Sequence, residues 1–188
     1  MGRWEPNARE RLAKAALELY SERGYEQTTV AEIAKRAGLT ERTYFRHYAD
    51  KREVLFDGSG ALQELFVNAV AEAPGSAAPI DAMAAGLEAV STVFVDRREH
   101  SRRRQAVIVA NAELQERELI KLSSLSAALA DALRRRGVGE PAASLTAEAG
   151  VAVFKVGFER WTAASEDLTL GQAMRESLEK LKAVTAGA

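Results

Sequence analysis

A chain of 188 residues suits one or two domains and is long enough to bury a real core. It has no cysteine and only His47 and His100, so disulfides and thiolate metal sites are excluded, and a metal cluster would need carboxylates to complete it. A net charge of −1 and a pI near 6.2 do not by themselves point to a polyanionic partner.

Residues 7–23 read as a first helix, with Leu12, Ala16, Leu19 and Tyr20 repeating at three and four on its apolar side. Gly24 ends it, and Tyr25 is placed to fold back as the apolar partner of a Schellman ending. Thr29 with Glu32 is a capping box, so a short helix is expected from Val30. Ala34 allows close approach of a crossing helix, and Gly38 can take the positive φ that stops this one. Thr40 then caps a second short helix, Glu41 to about Tyr48. Asp50 with Glu53 is expected to be another capping box, opening a long helix from Lys51 to about Glu72, bent or frayed at Gly58-Ser59-Gly60. Two short helices around a glycine turn describe a helix-turn-helix, whose second helix enters the major groove of DNA.

The loop from Pro74 to Pro79 precedes a helix from about Ile80 to Val95. Asp96–Arg104 is expected to be a charge-dense break, serving either as a solvated face or as a coupling segment. Further helices follow from about Glu113 to Arg136 and from Pro141 to about Ala164, and a turn at Glu166–Thr169 leads to a last one through about Val184. The expectation is an all-α chain of about nine helices, with a first domain over residues 1–55 and a second over 56–188.

Charge supports that division. Residues 1–52 hold eleven Lys/Arg against eight Asp/Glu, while the remainder holds fifteen against nineteen. A basic head on an acidic body is the electrostatic footprint of a DNA-binding module joined to a body that does not bind DNA.

On the helix-turn-helix, Ile33, Ala34, Ala37, Leu39, Tyr44 and Tyr48 account for the inward positions. The second helix is left with Glu41, Arg42, Thr43, Phe45, Arg46 and His47, a set rich in hydrogen-bonding groups. Arg42 can address guanine O6 and N7 in bidentate fashion; Thr43 can meet a thymine methyl or a phosphate. Arg46, His47 and Lys51 suit phosphate contacts, and Thr29 has a hydroxyl and a backbone N–H to donate to one.

This stretch resembles the TetR-type transcriptional regulators. The residues that carry the resemblance are Gly24, Thr28-Thr29, Ile33-Ala34, Ala37-Gly38-Leu39-Thr40, Thr43-Tyr44-Phe45-Arg46-His47-Tyr48, and Lys51 with Val54-Leu55. The resemblance implies an N-terminal three-helix DNA-binding domain and a C-terminal helical ligand-binding and dimerisation domain. It also implies a symmetric dimer, most simply a repressor on a pseudo-palindromic operator that a small-molecule effector releases. Carried over position by position, Thr29, Phe45, His47 and Lys51 become phosphate contacts and Arg42, Thr43 and Arg46 base-side contacts. Tyr44 is counted with this contact stretch as well as among the inward positions. Val30 stands where some members hold a base-reading arginine.

In the body, Phe66, Met83, Phe94, Phe154, Phe158 and Trp161 are candidates to line an effector pocket, although such spacing also builds ordinary core. Gly150, Gly157 and Ala164, beside Leu178 and Leu181, point to close pairing of the last two helices with their copies in a homodimer. No nucleophile–base constellation, phosphate loop or metal spacing selects an enzyme, a resident metal or a cofactor. No apolar run approaches the roughly 20 residues of a membrane span. With no export-signal core after Met1-Gly2-Arg3-Trp4, a cytoplasmic location is expected. The competing expectation is a helical ligand-binding or adaptor protein whose reader helix has lost its DNA role.

Overall fold

The computed structural model describes residues 7–164 and 167–187; residues 1–6, Ser165, Glu166 of the expected turn and Ala188 lie outside them. The described residues form nine α-helices and two short 3-10 turns, with no strand. In chain order the helices are α1 (Ala8–Arg23), α2 (Val30–Arg36), α3 (Glu41–His47), α4 (Ser59–Glu72) and α5 (Pro79–Ser91). They continue with α6 (Arg98–Val109), α7 (Ala112–Arg135), α8 (Ala142–Ala163) and α9 (Leu170–Thr185). Among the described residues no helix is long and apolar enough to cross a membrane.

The chain divides into two compact units. One runs through Asp57 and takes in Arg103–Glu118; the other comprises Gly58–Arg102 and Leu119–Ala188. The first unit therefore includes a segment far along the chain from its helix-turn-helix. Val107, Ile108 and Leu114 join Leu12, Leu19, Tyr20, Ile33, Tyr44, Tyr48 and Val54–Phe56 in one buried cluster. Burying about 1.5–3 kcal/mol of transfer free energy per large apolar side chain makes this cluster the first unit's cohesion.

Three expectations are corrected here. The long helix from Lys51 does not form: a 3-10 turn at Glu53–Phe56 is followed by Gly58 at φ +80°, and α4 starts only at Ser59. Asp50 does accept from the amides of Arg52 and Glu53, at 2.8 and 3.3 Å. The Glu53 carboxylate pairs with Arg117. Second, the charge-dense segment is not a break, since α6 begins at Arg98. Its arginines bond carbonyls that sequence inspection has no way to pair with them. Arg102 donates to Thr162 O at 2.8 Å, Arg98 to Ala164 O at 3.3 Å and to Leu168 O, and Arg104 to Leu55 O at 2.7 Å.

The third correction concerns the small residues of α8. A Cβ built on Gly150 would lie 2.3 Å from Met83 Sδ, and one on Gly157 2.9 Å from Met174 Cγ. These glycines admit α5 and α9 of the same subunit, and Leu178 is buried in the same core. The large apolar side chains that α8 leaves exposed are Leu145 and Val156, with the exposed Ala152 between them in sequence, and α9 exposes Val184.

Candidate nucleic-acid interface

Local hydrogen bonding builds the helix-turn-helix as its sequence prescribes. Both halves of the α2 capping box are present: Glu32 N–H donates to Thr29 Oγ1 at 3.3 Å, and Thr29 N–H donates to Glu32 Oε2 at 2.9 Å. At the other end of α2 the amides of Gly38 and Leu39 donate to the carbonyls of Lys35 and Ala34, at 3.0 and 2.8 Å. That pairing is a Schellman ending, and Gly38 supplies the φ of +67° that it needs. Thr40 caps α3 through Thr43 N–H at 3.2 Å, and the two threonine hydroxyls lie 3.0 Å apart.

Side chains from α1 and from the loop after α3 hold this motif in place. The Arg11 guanidinium donates to Ala37 O from Nε at 3.0 Å and from Nη2 at 2.5 Å, which fastens the turn to α1. Tyr44, fully buried, donates its hydroxyl to Asp50 O at 3.2 Å, and Tyr20 donates to Lys51 O at 2.9 Å. Tyr48 donates to Arg9 O at 3.2 Å, while Arg9 lies over the Tyr48 ring and pairs with Asp57 at 2.5 Å. Burial raises the Tyr44, Tyr20 and Tyr48 hydroxyls well above the ordinary tyrosine range, so they remain donors at any working pH.

The predicted contact residues separate into three groups. Arg42, Phe45 and Arg46 are exposed on α3, together with Glu41. Residues at i, i+1, i+4 and i+5 share one helix face. Arg42 and Arg46 are tied to no carboxylate among the described residues, and in this they differ from most arginines of the unit. Arg9 pairs with Asp57, Arg23 with Glu32, Arg36 with Glu22 and Arg52 with Asp50.

Thr29, Thr43, Lys51 and His47 form the second group, in which the relevant atoms are already engaged or withdrawn. Both donors that Thr29 would offer a phosphate go to Glu32, whose carboxylate is held below its ordinary pKa first by the Thr29 backbone amide and then by its hydroxyl. The half-buried Thr43 shares its hydroxyl with Thr40. Lys51 donates to Tyr25 O at 2.9 Å with its ammonium 4.0 Å from the Tyr25 ring centroid. The Nε2 of His47 is buried without a hydrogen-bond partner among the described residues.

Tyr44 forms the third group and is a correction. A ring with no exposed surface cannot touch a ligand, so its part is to brace α3 from beneath. The signal was already in the sequence, because Tyr44 shares the inward face with Tyr48 one turn later.

In the second unit the candidate pocket residues do come together. Phe66, Phe154, Phe158, Phe94 and Trp161 form a continuous ladder of rings with centroid separations of 6.5, 6.0, 5.4 and 6.0 Å in that order. Arg98 closes one end, 5.4 Å over the Trp161 ring. Phe66, Met83 and Trp161 are buried, whereas Phe94, Phe154 and Phe158 are half-buried. Met83 packs on Gly150 and belongs to the same core cluster as the ladder. A shallow groove lined by Ala84, Leu87, Glu88, Gly171, Met174, Arg175 and Leu178 shares none of these residues.

Two sequence-family models match the chain. Residues 12–57 match the sequence model of bacterial regulatory proteins of the tetR family, and residues 77–186 match that of the MftR C-terminal domain. The chain belongs to the TetR family. That family is one of bacterial regulatory proteins, and the chain spans only about a third of the length of the first curated relative it matches. Over 82 residues it is 40% identical to the HTH-type transcriptional regulator TcmR of Streptomyces glaucescens, a match covering 44% of this chain and 36% of that one. Over 142 residues it is 28% identical to MftR of Mycobacterium tuberculosis, a regulator ascribed to mycofactocin biosynthesis, covering 74% and 71% of the two chains. In fold it is similar to the Bacillus subtilis regulator FadR solved with stearoyl-CoA, at a TM-score of 0.64 and 19% identity over 92% of this chain and 96% of that one.

Proposed function

We propose that this protein is a ligand-responsive DNA-binding repressor, acting as a homodimer on a pseudo-palindromic operator. The observation that carries the reading is the α3 face. Arg42 and Arg46 are exposed and uncommitted there, on a short helix whose cap, turn and underside are all fastened. Free guanidiniums on a rigid helix suit bidentate guanine and phosphate contacts, because little further ordering is needed on binding. Thr29 joins the phosphate contacts only by giving up Glu32, whereas the Lys51 ammonium has three donors and can hold Tyr25 O and a phosphate together.

The dimer of this proposal pairs through the last two helices, over the exposed α8 stripe of Leu145, Ala152 and Val156 with Val184 of α9. Two heads then meet half-sites about one helical turn or a little more apart. An effector with an apolar or aromatic body is accommodated at the Phe94–Phe158–Trp161 end of the ladder. It releases DNA only by favouring the DNA-incompetent arrangement, typically by about 1–3 kcal/mol of coupling.

Selection from a random duplex library, followed by footprinting at two salt concentrations, tests the reading. A palindromic consensus with steep salt dependence is the expected result. If no sequence is enriched and binding is negligible even at low salt, the chain is a helical ligand-binding or adaptor protein instead. For the dimer, Val156→Glu is expected to yield monomers by light scattering at micromolar concentration. A dimer that survives Leu145→Glu and Val156→Glu together would move the interface elsewhere.

A further inference from the structure

Phe45 is the apolar member of an otherwise charged face. Its side chain shares the exposed face of Glu41, Arg42 and Arg46 and is 53% exposed, whereas Tyr20, Tyr25, Tyr44, Tyr48 and Phe56 of the same unit are all buried. A single exposed phenylalanine needs no explanation in general. This one sits at the centre of the surface that the proposed function turns toward the major groove. The ring is also braced: it meets Tyr44 edge-on at 5.6 Å and 79°, and Tyr44 is fixed by full burial and by its hydroxyl bond to Asp50 O.

The resemblance assigns Phe45 to phosphate, but a phenyl ring has no donor to offer a phosphate oxygen. On the floor of the major groove the matching apolar group is the thymine C5 methyl. We infer that Phe45 reads a thymine methyl, making it a specificity-determining residue beside the polar contacts of Arg42 and Arg46. Because Tyr44 holds the ring before DNA arrives, little side-chain freedom is lost on binding, and the contact discriminates a methyl from a hydrogen.

This inference rests on the DNA-binding reading, and its test separates the two. With the full-length protein and its selected operator, each thymine is replaced in turn by deoxyuridine, which removes the methyl and leaves the pairing edge intact. One symmetric position is expected to lose affinity about four-fold per half-site, the worth of burying one methyl-sized group, and roughly fifteen-fold when both half-sites are changed. Phe45→Ala should bind the thymine and uracil operators equally, while Phe45→Leu should keep part of the preference.

If the wild-type protein binds its operator specifically but tolerates every uracil within two-fold, the inference is wrong and the repressor reading stands. Phe45→Ala weakening all duplexes alike without altering the thymine preference would equally overturn it, and would return the ring to a backbone contact. If the library yields no enriched sequence, the repressor reading fails and the inference falls with it.

Discussion

Replacing Gly38 by alanine tests how the reader helix is oriented. Gly38 holds φ at +67° to end α2, and an added Cβ would come within 2.8 Å of Arg11 Nη2. The left-handed conformation costs an L-residue about 1–2 kcal/mol. The contact then forces the guanidinium off Ala37 O and Gly38 O, to which Nη2 donates at 2.5 and 3.4 Å. A charged hydrogen bond is worth about 1.5–3 kcal/mol, but Arg11 is only half-buried, and we discount its loss to about 1 kcal/mol for solvent competition. Gly38→Ala should therefore cost the first unit about 2–3 kcal/mol. Native-state hydrogen exchange at the amides of α2 and α3 reads this locally, without assuming that both units unfold together. The double variant Arg11→Ala, Gly38→Ala should cost about 1 kcal/mol less than the sum of the singles, since the clash is then gone. A loss under about 0.5 kcal/mol, or strict additivity, would refute the argument that Arg11 and Gly38 act together at this turn.

Three further outcomes follow from the packing and the caps. Gly150→Ala places a methyl into Met83 and should destabilise the second unit by about 1–3 kcal/mol in urea unfolding, with Met83→Ala relieving part of that cost. Arg104→Ala strips the Leu55 carbonyl of its donor and the Phe56 ring of a cation 5.1 Å away, so amide exchange at Glu53–Phe56 should quicken. Lysine should not rescue it, because it lacks the planar fork. Glu32 has its folded-state pKa lowered by the Thr29 amide and hydroxyl and by Arg23, so its contribution is complete above the unfolded value near 4.3 and is lost as pH falls through the lower folded value. An acid titration of α2 amide exchange should show that loss in the wild type, and Glu32→Gln should flatten it.

Much of this molecule is decided within a few residues of chain, and that part was legible without a structure. Thr29 with Glu32, Gly38 with Lys35, Leu39 with Ala34, and Thr40 with Thr43 all bond partners at most five residues away, so their chemistry implies their geometry. The 3.6-residue period likewise turned Tyr44 and Tyr48 inward and left Arg42 and Arg46 out. The sequence could not say which donors fold-level contacts would occupy. Lys51 and Arg11 look equally available along the chain, yet each is engaged by a carbonyl twenty-six residues away.

The same limit applies to the longer segments. A run as polar as Asp96–Arg104 reads as a break because its charges have no local partners. It begins a helix because Thr162, Ala164 and Leu168 present carbonyls to Arg98 and Arg102. Val107 and Ile108 look like core, but only tertiary packing assigns them to the first unit. Gly150 and Gly157 announce close helix crossing without naming the helix that crosses, and the structure names α5 and α9 of the same chain. Caps and periodicity are short-range physics, fixed by neighbouring residues. Partners across tens of residues were settled only when the whole chain competed for the same buried volume.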